Sequence, residues 1–81
     1  MPHTLTLTPT ELREQLLSPK ATDRVHALHA LEMAAEQADD GLSREMLTFA
    51  ARGIPYYSPN DAAYRKWVDK ALAYWKRAHA N

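Results

Sequence analysis

The 81-residue sequence predicts an all-α fold, a compact four-helix domain built as two stacked helical hairpins, and three observations support that reading. First, the stretch from Pro19 to Ala38 keeps its apolar residues on half of a helical wheel. At 100° per residue Ala21, Val25, Ala27, Leu28, Leu31, Ala34, Ala35 and Ala38 share one arc, while His26, His29, Glu32, Glu36 and Gln37 take most of the rest. Second, three further segments open with helix start signals and continue with helically spaced apolar residues. Third, only residues 3–8, His-Thr-Leu-Thr-Leu-Thr, alternate with a period of two, and no second segment of that kind exists to pair with them.

Residues 1–8 are therefore expected as an extended lead-in whose Leu5 and Leu7 lie on the helices, because a lone strand leaves its backbone groups unpaired. Strand exchange across a dimer is the alternative. The first helix is expected over residues 9–17. Thr8 and Glu11 form a capping box around Pro9 at the first helical position, and Leu7 with Leu12 makes a hydrophobic staple. Leu12, Leu16 and Leu17 give its apolar stripe, and Pro19 disfavours a helical Ser18.

The second helix spans residues 20–38, with Ser18-Pro19 and Thr22-Asp23 as competing start signals and Asp39-Asp40-Gly41 as a turn whose glycine can take positive φ. A third helix over 43–52 starts with Ser43 as cap and Leu42 and Leu47 as staple, and it buries Leu42, Met46, Leu47, Phe49 and Ala50. A rigid loop follows, with Tyr56 and Tyr57 between Pro55 and Pro59. The fourth helix, 59–79, sets Tyr64, Trp67, Val68, Ala71, Leu72, Tyr74, Trp75 and Ala78 against a basic face of Arg65, Lys66, Lys70, Lys76 and Arg77. Short connections favour antiparallel neighbours, which gives the stacked hairpins, and orthogonal packing between them is one expected arrangement.

Composition narrows the classes. Apolar residues make up 46% and charged residues 25%, as in a globular domain, and the length allows one modest core. No cysteine is present, which removes disulfides and thiolate metal sites and fits a reducing cytoplasm. No secretory leader or membrane span is expected, so a soluble cytoplasmic protein is. The net charge of zero hides two opposed halves. Residues 1–41 hold Arg13, Lys20 and Arg24 against seven acidic side chains, a balance of −4, and residues 42–81 hold seven basic side chains against Glu45, Asp61 and Asp69, a balance of +4. Such halves can attract within the fold, join subunits head to tail, or offer a basic face to an acidic partner.

The run LREQLLSPKATDRVHALHALEMAA resembles a HEAT-type helical hairpin, with leucines on a first helix, a proline turn, and Asp23-Arg24-Val25 opening a second helix. The resemblance covers residues 9–38 and departs afterwards, where the chain has an aromatic helix and a Pro-Tyr loop. It implies HEAT-like packing of helix pairs and a protein-binding surface rather than an enzyme.

Four features bear on chemistry. His26 and His29, with Glu32 and Glu36 along the same helical edge, have the spacing of a two-His, one-carboxylate metal cluster, or of surface histidines contacting glutamates three residues on; His3 and His79 lie near the termini. Tyr64-Arg65-Lys66-Trp67 and Tyr74-Trp75-Lys76-Arg77 interleave cations and rings, as a phosphate-contacting, base-stacking surface does, or as a core helix with a solvated outside does. Tyr56 and Tyr57 read as rigid anchors for a partner or as a cap on the core. Asp39 and Asp40 beside Glu36 read as a cation site or as turn aspartates. No phosphate loop or nucleophile motif occurs, so neither catalysis, cofactor nor metal is expected. The leading expectation is a small module that binds another protein, or itself as a homodimer, through Tyr56, Tyr57, Arg65, Lys66, Trp67, Lys70, Lys76 and Arg77. The alternative is a nucleic-acid-binding module that uses the same basic helix.

Overall fold

The computed structural model describes residues 7–79. They form α1 (Pro9–Leu16), α2 (Ala21–Gln37), α3 (Gly41–Gly53) and α4 (Ala62–His79), with a 3-10 turn over Ile54–Tyr56 and no strand among the described residues. This is the all-α four-helix domain that the sequence predicts. Each helix packs on its chain neighbour and α4 returns to α1, so the helices form a closed ring in which α2 and α4 meet across one diagonal and α1 and α3 make no contact across the other.

The start of α1 follows the sequence closely. The Glu11 amide donates to Thr8 Oγ1 at 3.1 Å and the Thr8 amide donates to Glu11 Oε1 at 2.9 Å, so both halves of the capping box form. Leu7 packs half-buried on the core. Leu5 and the strand-exchange alternative lie outside the described residues.

Other boundaries move for local reasons. The N-cap of α2 is Lys20, which gives no side-chain cap, and neither Thr22 nor Asp23 serves as one. Instead the Ser18 hydroxyl donates to Asp23 Oδ2 at 2.8 Å and accepts from the Lys20 amide at 3.1 Å, which fixes the corner between the first two helices. Gly41 does not close α2 with positive φ: no described glycine has one, and Gly41 is the first residue of α3. The cap of α3 is Asp40 rather than Ser43, because a carboxylate suits the positive end of the helix better than a hydroxyl. Ser43 is thereby drawn into the core, and α4 begins three residues later than its Pro59 signal.

Leu12, Leu16, Leu31, Leu47, Ile54 and Val68 fill the centre, and each gains about 1.5 to 3 kcal/mol from burial. The inner stripe of α2 is Ala27, Ala30, Leu31 and Ala35, and that of α3 is Ser43, Leu47, Ala50 and Ala51. These small residues let α2 and α3 become the most extensively packed pair. Close approach leaves no room for larger side chains at the flank of α3, so Leu42 and Phe49 are exposed, while Ala21 and Val25 are exposed on the outward side of α2.

Candidate protein-interaction surface

Side chains on α4 divide by angle into four strips. Tyr64, Val68, Ala71 and Trp75 are buried. Trp67 and Tyr74 lie half-buried on the flank toward α3, and Lys66, Lys70 and Arg77 line up beside them on the outer surface. Arg65 and Lys76 fall on the opposite flank with Asp69, where Arg65 and Asp69 border a cleft of about 480 Å³ against Arg13 and Ser18. The eight residues expected to form one surface are thus divided, and only Lys66, Trp67, Lys70 and Arg77 share a side of the helix.

Three groups converge on Trp67. The Phe49 ring lies 4.9 Å from it between centroids, tilted by 59°, and Lys70 Nζ sits 4.7 Å above it. Gly53 provides the floor: a Cβ there would come within 2.7 Å of Cη2 and Cζ3 of the indole, so the ring can lie on this helix only where a side chain is missing. Leu42, Met46, Phe49 and Gly53 succeed one another along the α4 side of α3, opposite Trp67 and Tyr74. Together they make an aromatic groove with cations on its α4 rim.

Phe49 is the residue that sequence reasoning misplaced. It is 57% exposed although it is the only phenylalanine in the chain. Its signal lies in its spacing: Phe49 is in step with Leu42 and Gly53 and out of step with Ser43, Leu47, Ala50 and Ile54. In the Pro-Tyr loop Ile54 enters the core, Tyr56 is 86% exposed at the end of the 3-10 turn, and Tyr57 is partly exposed.

The other aromatic groups of α4 are structural. The Tyr64 hydroxyl donates to the Leu16 carbonyl, and burial pushes its phenol above the ordinary value. The Trp75 indole N–H donates to the Leu7 carbonyl at 3.2 Å, and His79 covers the ring with centroids 4.5 Å apart. Trp75 is therefore unable to stack on a base or a partner.

The remaining candidates stay apart. His26 Nδ1 lies 2.7 Å from Gln15 Oε1, and His29 is 3.9 Å from Glu32. Among the described residues no group of three or more His, Cys, Asp or Glu side chains is placed to hold a metal ion, and His3 lies outside them. Asp40 is a cap: the hydrogen bond from Ser43 holds its carboxyl below the usual carboxylate value, with Arg77 adding attraction across the α3–α4 pair. None of the described helices is long and apolar enough to cross a membrane. Comparison of the chain with protein-family models, curated proteins and solved structures gives no match.

Proposed function

We propose that this protein is a small cytoplasmic protein-interaction module without catalytic activity, and that its working surface is the α3–α4 groove around Phe49 and Trp67. The observation that carries the reading is the exposed Phe49 ring, held against Trp67 over Gly53 rather than folded into the core. A preset aromatic pair with a cation above it suits a binding anchor, since little side-chain freedom remains to be lost on association. Tyr56 adds an exposed ring in the turn just past the end of α3. The HEAT-like pattern of residues 9–38 points to the same class of activity.

The test is co-purification with the tagged chain, compared between wild type, Phe49→Ala and Tyr56→Ala. A protein retained by wild type and lost with Phe49→Ala supports the groove, and equal retention by both refutes it. The alternative reading, nucleic-acid binding, draws on Lys66, Lys70 and Arg77, which are exposed in one line and make no ion pair with a carboxylate among the described residues. Titration with oligonucleotides while following Trp67 fluorescence would reveal it as an affinity that falls steeply with salt.

A further inference from the structure

We infer that the aromatic groove takes as its partner the outer face of α2 from a second copy of this chain, so that copies associate head to tail. The inference rests on the interaction reading above and names the partner for the same groove.

On α2 the residues that point away from the core fall on one stripe. Val25, His29, Glu32 and Glu36 follow one another at intervals of three or four residues, and all are exposed. Val25 is 63% exposed and, with Ala21, Thr22, His26 and His29, lines an apolar surface depression. The stripe thus offers an apolar anchor followed by two carboxylates. The groove offers the complement to the carboxylates on its α4 rim, where Lys66 and Lys70 flank Trp67; Val25, seven residues and so about 10 Å before Glu32, lies beyond Trp67 when those charges meet. Glu32 and Glu36 are spaced four residues apart, as are Lys66 and Lys70, so each pair rises about 6 Å along its helix and the two pairs can meet in register.

The fold keeps these surfaces from satisfying each other within one molecule. Because α2 and α4 occupy diagonal corners of the ring, their outer faces point away from each other. The acidic and basic halves of the sequence accordingly form no ion pair between Asp or Glu and Lys or Arg among the described residues. A net charge of zero assembled this way leaves the Glu32–Glu36 and Lys66–Lys70 pairs on separate helices, each open to a partner of opposite charge. The same geometry decides the symmetry. A two-fold dimer needs both patches on one side, whereas patches on opposed sides give a heterologous contact that extends from copy to copy.

Sedimentation velocity over a concentration series, at low and at high ionic strength, tests the inference. Wild type is expected to pass from monomer through dimer to larger species at low salt, and to lose them at high salt. Glu32→Gln/Glu36→Gln and Lys66→Gln/Lys70→Gln, all at exposed positions, should each associate about tenfold more weakly while keeping the helical circular dichroism of wild type. Mixed in equal amounts, the two variants retain one intact acidic face and one intact basic face, and association should stop at a one-to-one dimer. A wild type that stays monomeric at low salt, variants that associate like wild type, or a mixture that stays monomeric would each overturn the proposal. A monomeric wild type that still retains another protein through Phe49 would refute self-association alone. Loss of both activities refutes the interaction reading as well.

Discussion

Trp67 and Trp75 stand eight residues apart on α4 and are used in opposite ways. Trp75 turns inward, spends its indole N–H on the Leu7 carbonyl and is 2% exposed. Trp67 turns toward α3, lies on a glycine, and carries Phe49 and Lys70 at its surface. Tyr64 belongs with Trp75, since its hydroxyl reaches the Leu16 carbonyl from the same inner strip. The difference shows how a ring's polar handle separates a core ring from a surface one. Inner rings satisfy backbone acceptors at the two ends of α1, while the outer ring is positioned by shape.

Substitutions can break or sharpen that contrast. Trp75→Ala should cost about 3 to 5 kcal/mol in denaturant unfolding, because it opens a cavity and orphans the Leu7 carbonyl. An equal loss from Trp67→Ala would erase the distinction. Tyr64→Phe keeps the ring and removes one buried hydrogen bond, so a loss of about 1 kcal/mol is expected by the same measurement. Gly53→Ala should have the smallest effect on stability, since two terms oppose each other. Alanine favours a helix by about 1 kcal/mol over glycine, while crowding the indole costs about 1 to 3 kcal/mol. Its sharper readout is Trp67 emission: the ring must swing away from α3 into water, shifting fluorescence to the red. Unchanged emission would mean that Gly53 does not set the ring.

Much of the fold was legible because local signals carry it. The capping box at Thr8 and Glu11 forms as the spacing implies, and Leu12, Leu16, Leu31 and Leu47 all reach the core. The candidate surface was legible only in part. Helical periodicity set Trp67 with the apolar side chains of α4 and Lys66 and Lys70 with its basic face, but it put Phe49, Leu42 and Val25 inside. The two errors on α3 share a cause. A wheel ranks residues by hydrophobicity, whereas the close pairing of α2 and α3 selects small ones, so Ala50 and Ala51 are buried and Phe49 is displaced outward. The division of the α4 cations between two flanks likewise depends on which neighbour stands on each side.

The two carbonyls that Trp75 and Tyr64 hold lie at the two ends of α1, at sequence separations of 68 and 48. A helix of eight residues is too short to persist alone in water, whatever its cap contributes. Its security therefore arrives with the last quarter of the chain. Among the described helices, docking α1 on α4 closes the longest stretch of chain.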